Sequence, residues 1–298
     1  MNRRSFINTG INAGAAGALA QAQQPPSAAP KKARVTSSVM LWTLKGSFDE
    51  KLDQAARAGF QSVELVGEHA NWSDAEIDRV KKLARSLKLG MDTISSTPNW
   101  GRMPISMLDP GQRDNLLREV QKNIVFAQKL EIPNLLLMAG NEIAGKARDE
   151  QWASMVEGAK RCGELAAKAG VTLIVEPLNN KVNHKGFFLA TCVDGLKLVK
   201  EVDNPHVRLL FDIYHEQVQI GNVVRTIVEA APYTVVFHVA DNPGRNEPGT
   251  GEMNYANIYK AIQKTGYGNY VTMEYLPLAE PVTSLTKAVN EMRAAMAA

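Results

Sequence analysis

The chain has 298 residues, 45% of them apolar and 22% charged, with a net charge of +3, 22 Gly, 14 Pro and 2 Cys. This balance belongs to a globular protein and excludes a disordered chain, a disulfide scaffold and a four-cysteine zinc module. No apolar run reaches the roughly 18–20 residues of a membrane span, and the charge is too small to point to nucleic acid as a partner.

Residues 1–33 differ from the rest. Asn2-Arg3-Arg4-Ser5-Phe6-Ile7 precedes a mildly apolar Ala/Gly stretch, Ala18-Leu19-Ala20 offers small residues at a cleavage spacing, and a Pro/Ala/Gln linker leads to Lys31-Lys32. A cationic start, a short apolar region and an Ala-x-Ala site describe a secretory signal. The Arg-Arg-x-Phe-Ile arrangement resembles a twin-arginine leader. The expectation is export to the periplasm, or a cytoplasmic protein if the leader does not function. No Cys follows the cleavage site, so no stable membrane anchor is expected. Loss of Arg3 and Arg4 lowers the charge from +3 to +1. Cys162 and Cys192 lack metal-ligand spacing and read as buried free thiols.

From Arg34 onward, short apolar strands alternate with amphipathic helices. Strands are predicted at 35–41, 62–66, 91–94, 134–138, 171–175, 207–211, 234–239 and 270–273. The predicted helices begin with 48–58, which ends at Gly59, and a second to about Leu87, opened by a capping box of Ser73 and Glu76. Asp109-Pro110 opens the third, and the others cover 150–169, 193–202, 223–231, 255–264 and 283–296. Continuous apolar strands such as Val171-Thr-Leu-Ile-Val175 suit a sheet covered on both faces. Eight such units imply an α/β fold, a single-domain (β/α)8 TIM barrel over 34–298. No Gly-x-Gly-x-x-Gly follows the first strand, which argues against a dinucleotide fold.

In such a barrel the C-terminal strand ends form the active face. Strands five to eight end in Glu176, Asp212, His238 and Glu274. Each alone reads as a cap or a core residue. Together, three carboxylates and an imidazole at one mouth repel each other without a cation. Octahedral Mn²⁺, Mg²⁺ or Co²⁺ suits this mixed oxygen and nitrogen set, and tetrahedral Zn²⁺ is the other fit.

The segments Glu176-Pro-Leu-Asn179, Asp212-Ile-Tyr-His-Glu-Gln217, Asp241-Asn-Pro-Gly-Arg-Asn-Glu-Pro-Gly-Thr-Gly-Glu252 and Met273-Glu-Tyr-Leu-Pro277 resemble the hydroxypyruvate isomerase family of the xylose isomerase-like barrels. The resemblance implies that Glu176, Asp212, His238 and Glu274 hold a divalent metal, and that Glu176 and Glu274 are also the acid/base pair. Hydroxypyruvate isomerases often carry Gln at the position of His238. The His is similar to ketose 3-epimerases, but their second Glu, six residues after the first, is Val182 here.

The resemblance implies a small hydroxy-keto acid or sugar as substrate and a homodimer as the common assembly. Moving a carbonyl along a carbon chain requires removal of the proton beside it, and a cation stabilises the resulting enediolate. Substrate-binding candidates are His215, a donor into the mouth, and Arg245, a two-point holder of carboxylate or hydroxyl. Glu247 is expected to orient Arg245, Asn179 to bind a hydroxyl or cap helix five, and Glu68, His69, Trp72, Trp42 and Trp100 to line the wall. Three other readings compete: a ketose 3-epimerase or an isomerase of another exported keto-sugar, an abasic-site endonuclease, disfavoured by only 5 His and the low charge, and a non-catalytic exported sugar-binding barrel.

Overall fold

A computed structural model of the protein describes residues 34–297, so the leader expected over 1–33 lies outside the described residues. Eight parallel strands close on themselves in sequence order: β1 (Thr36–Met40), β2 (Ser62–Glu64), β3 (Gly90–Ser95), β4 (Asn134–Leu137), β5 (Thr172–Val175), β6 (Val207–Asp212), β7 (Thr234–Val239) and β8 (Tyr270–Met273). The helices between them are α1 (Phe48–Arg57), α2 (Asp74–Ser86), α3 (Arg113–Leu130), α4 (Arg148–Ala169), α5 (Cys192–Val202), α6 (Ile213–Gln219), α7 (Val223–Ala230), α8 (Tyr255–Lys264) and α9 (Pro281–Ala297). The expected TIM barrel is therefore the observed fold.

Side chains alternate across each strand, and the barrel sorts them into two cores. The outward-facing apolar residues, among them Leu173, Val175, Leu209, Phe211 and Phe237, pack under the helices in one continuous cluster. The inward-facing Leu136, Ile174, Leu210 and Val236 form a separate small plug. Ile174, Leu210 and Val236 each precede a candidate ligand by two residues, so Glu176, Asp212 and His238 stand on the same inner face directly above the plug. β-sheet register completes the placement, since Asp212 pairs with His238 and His238 with Thr272.

Local details differ from expectation in three places. Ser73 accepts from the Glu76 amide, but Glu76 turns its carboxylate to Arg79, so only half of a capping box forms there. A complete box caps α1, between Ser47 and Glu50. Asp109-Pro110 opens a short 3-10 turn, and α3 follows from Arg113. The third difference is an additional short helix, α6, started directly by Asp212 as its N-cap. Cys162 and Cys192 are buried and free.

Toward the N-terminal ends of the strands, buried Asp92 accepts hydrogen bonds from Ser38 Oγ (2.6 Å) and Ser62 Oγ (2.5 Å). Burial pushes its carboxyl from 3.8 up to about 7, with the charge of Glu64 acting in the same direction. Folded Asp92 therefore holds its proton where the unfolded chain has released it. Its stabilising contribution is complete below pH 3.8 and is lost as pH rises to about 7. Relative to wild type, Asp92→Asn should gain about 2–3 kcal/mol between pH 5 and pH 8. Urea melts of both proteins at the two pH values measure this, and an unchanged difference would contradict it.

Candidate active site

Four donors converge. One side-chain atom from each of Glu176, Asp212, His238 and Glu274 lies within 4.8 Å of all the others, and all four residues are buried. His238 is at the centre: Nδ1 lies 2.7 Å from Glu274 Oε2 and 3.5 Å from Glu176 Oε1. Its Nε2 faces away and donates to Glu64 Oε2 at 3.0 Å. The close approach of His238 Nδ1 and Glu274 Oε2 is not an aligned hydrogen bond, and neither atom has another hydrogen-bond partner. Buried orphaned donor atoms of this kind, in a set of three carboxylates and one imidazole, fit a divalent cation.

The electrostatics separate the two glutamates. Burial pushes Glu176 up to about 7, against the pull of His238. Burial acts on Glu274 too, but Arg245 and His238 overcome it and hold Glu274 far below the ordinary carboxylate range. Arg245 Nη2 reaches Glu274 Oε1 at 2.7 Å and Asp212 Oδ2 at 3.3 Å. Its guanidinium carbon lies over the rings of Trp42 and Tyr214, at 5.6 and 5.3 Å from their centroids. Trp42 Nε1 donates to the same Glu274 oxygen at 3.0 Å.

His215 is fixed by two neighbours. Its amide donates to Asp212 Oδ1 at 2.9 Å, because Asp212 caps α6. Asn179 Nδ2 donates to its Nδ1 at 2.5 Å. That assigns the proton to Nε2, which lacks a hydrogen-bond partner and borders the mouth. Burial holds the imidazole down to about 4, so it is a neutral N–H donor at pH 7. His184 stands edge-on beside it, 5.2 Å between ring centroids.

A cavity of about 350 Å³ has one polar wall (Glu176, His184, His215, Arg245, Glu274) and one apolar wall (Met40, Trp42, Val66, Leu136, Met138, Leu178). A larger hollow of about 700 Å³ between α8 and α9 touches none of the four donors. Converging charged groups identify the site better than volume does.

Several expected wall and binding residues lie elsewhere. His69 is buried outside the mouth, bonded through Nε2 to Asn123 Oδ1 at 2.8 Å and set edge-on to Phe126. A 3-10 turn over Glu68–Asn71 carries it outward, and the Glu68 carboxylate folds back onto the Val66 and Gly67 amides. Trp72 packs on Phe48 and Trp100 on Phe187. Glu247 accepts from the amides of Leu278 and Ala279 and from Ser284 Oγ, so it ties down the loop after β8 instead of orienting Arg245. Asn179 neither caps α5, which Thr191 does, nor borders the cavity; Asn179 holds its own loop and His215. Glu64 and His184 join the site without having been expected there. A charged residue inside the short apolar strand Ser62–Val66 needs a buried partner, which was the available signal for Glu64.

Arg245 depends on its loop. Its backbone is left-handed, with φ of 56°, and its carbonyl accepts from the Leu276 amide at 2.8 Å. Buried Asp241 gathers the loop by accepting from the amides of Asn242, Gly249 and Met253. At Gly251 any Cβ would run into the Asn242 carbonyl and the Asp241 carboxylate. Gly251→Ala should cost about 1–3 kcal/mol and displace Arg245, read as a lower Tm and a raised KM. A variant with wild-type Tm and KM would contradict this role.

The family model for the xylose isomerase-like TIM barrel matches residues 52–294. The chain belongs to that family. Hydroxypyruvate isomerase of Escherichia coli strain K12 is 30% identical over 246 residues, covering 80% of this chain and 93% of the relative. 2-oxo-tetronate isomerase of Pectobacterium atrosepticum is 24% identical over 230 residues, covering 77% and 87%. Among solved structures, a D-psicose 3-epimerase crystallised in the presence of D-fructose superposes with a TM-score of 0.75 at 20% identity, covering 88% of this chain and 100% of the epimerase chain.

Proposed function

We propose that the protein is a divalent-metal-dependent isomerase of hydroxypyruvate isomerase type, interconverting hydroxypyruvate and tartronate semialdehyde. The convergence of Glu176, Asp212, His238 and Glu274 on one inner face carries this reading. The isomerase names and 24–30% identity of two relatives support it. A bound divalent cation would supply Lewis-acid stabilisation of the charge that builds on the two substrate oxygens.

Glu176 and Glu274 are the acid/base pair. One removes a proton from the hydroxymethyl carbon, the hydroxyl proton of that carbon passes to the former carbonyl oxygen, and the former carbonyl carbon receives a proton as the enediolate collapses to the aldehyde. Environments that push two carboxyls apart suit such a division of roles. His215 Nε2–H donates to a substrate oxygen. Arg245 faces the substrate carboxylate, and Trp42 covers the reacting carbons on the apolar side. Glu64 and Asn179 do not reach the substrate in this account.

A second reading, a ketose 3-epimerase, is favoured by His238, which completes a Glu-Asp-His-Glu set. Against it, Val182 is 62% exposed where the epimerases carry a second Glu. Incubation of the purified protein plus Mn²⁺, Mg²⁺ or Co²⁺ with hydroxypyruvate, a 2-oxo-tetronate and ketohexoses separates the readings. Turnover of the keto acids supports the first. Epimerised ketohexose with inert hydroxypyruvate would overturn it.

We also propose export through the twin-arginine route, on the pattern of Arg3, Arg4, Phe6 and Ile7. Replacing both arginines by Lys should retain the protein in the cytoplasmic fraction, and unchanged export would contradict the proposal.

A further inference from the structure

Glu64 lies on β2, across the barrel from the strands that bear the four donors, and none of its surface is exposed. An ionisable side chain in so dry a place needs a partner to offset its desolvation. Its partner is His238 Nε2, at 3.0 Å. The opposite ring nitrogen, Nδ1, is the one that faces Glu274 and Glu176. A histidine can ligate only through an unprotonated nitrogen, and the hydrogen bond at the other nitrogen decides which one that is.

We propose that Glu64 is a positioning residue that locks His238 as the Nε2–H tautomer and aims its Nδ1 lone pair at the divalent cation. The inference rests on the metal-site reading above. Glu64 does not touch the ion; it acts through the imidazole, as carboxylates behind metal-bound histidines do. Thr272 is the register neighbour of His238, but its hydroxyl makes no hydrogen bond, so Glu64 and not Thr272 holds the ring in this structure. Loss of the Glu64 charge should weaken the ligand, and loss of the acceptor should also release the ring.

The test is Co²⁺ binding to protein stripped with EDTA, followed by the visible absorption of the ion, with melting curves in EDTA for every variant. Glu64→Gln keeps shape and an acceptor but loses the charge, and should weaken Co²⁺ about tenfold; Glu64→Leu should weaken it up to about 100-fold and alter the absorption bands. In a His238→Ala background, Glu64→Gln should change Kd less than about twofold, since the effect runs through the imidazole. Wild-type Kd in Glu64→Gln, or an equal loss in the His238→Ala background, would overturn the inference and leave the metal site standing. If wild type binds no Co²⁺, the metal site falls and this inference with it. Nitrogen-15 NMR of labelled histidines reports the tautomer in wild type without any substitution. An Nε2–H resonance for His238 in the Mg²⁺-loaded protein is expected, and an Nδ1–H tautomer overturns the assignment.

Discussion

Glu176→Gln and Glu274→Gln should each lower kcat on the keto-acid substrate by about 10³-fold while leaving the fold intact, as measured by steady-state kinetics and melting curves. Each substitution is isosteric and removes a group that can carry a proton. The two carboxyls sit on different strands, β5 and β8, with His238 Nδ1 between them at 3.5 and 2.7 Å. Their environments differ sharply: burial pushes Glu176 up to about 7, whereas Arg245 and His238 keep Glu274 ionised. Glu274 is also the acceptor for Trp42 Nε1 and Arg245, so its substitution should raise KM more than that of Glu176. A variant of either residue that retains more than about a tenth of wild-type kcat would contradict the acid/base assignment.

The second large effect concerns stability. Three carboxylates crowd one dry mouth, and a cation that binds only the folded chain stabilises it by mass action. At a concentration 100 times Kd this amounts to about 2.7 kcal/mol. For a barrel of this size that corresponds to a rise in Tm of about 5–10 °C. Scanning calorimetry with Mn²⁺ against EDTA reads the shift directly. Asp212→Asn is the informative control, because Asn caps a helix as well as Asp does. It should preserve the start of α6 and the placement of His215 while shrinking the metal-dependent shift to under about 2 °C. An undiminished shift in that variant would place the cation away from these four residues.

The barrel and the four convergent residues were legible because both follow from period. Apolar runs five to eight fix the strands, and the inner-face parity of Ile174 and Glu176, Leu210 and Asp212, or Val236 and His238 can be read directly from the chain. Short-range geometry was not legible. His69 follows β2 in sequence, but a single 3-10 turn carries it away from the mouth. Glu247 lies two residues from Arg245, yet its carboxylate is taken by the Leu278 and Ala279 amides, which only the folded chain brings near. Asp212 proved to be a helix cap as well as a donor, which explains the three-residue spacing to His215. Glu64 needed the closed barrel, since its partner is 174 residues away in sequence.

The most direct measurement follows the proton itself. Hydroxypyruvate is incubated with the Mg²⁺-loaded protein in D₂O, and its carbon-bound protons are observed by NMR. The proposed function predicts exchange of the hydroxymethyl protons together with tartronate semialdehyde formation, abolished by EDTA and by the combined Glu176→Gln and Glu274→Gln substitutions. Hydroxymethyl protons that persist with wild type, or exchange that continues in the double variant, would contradict it.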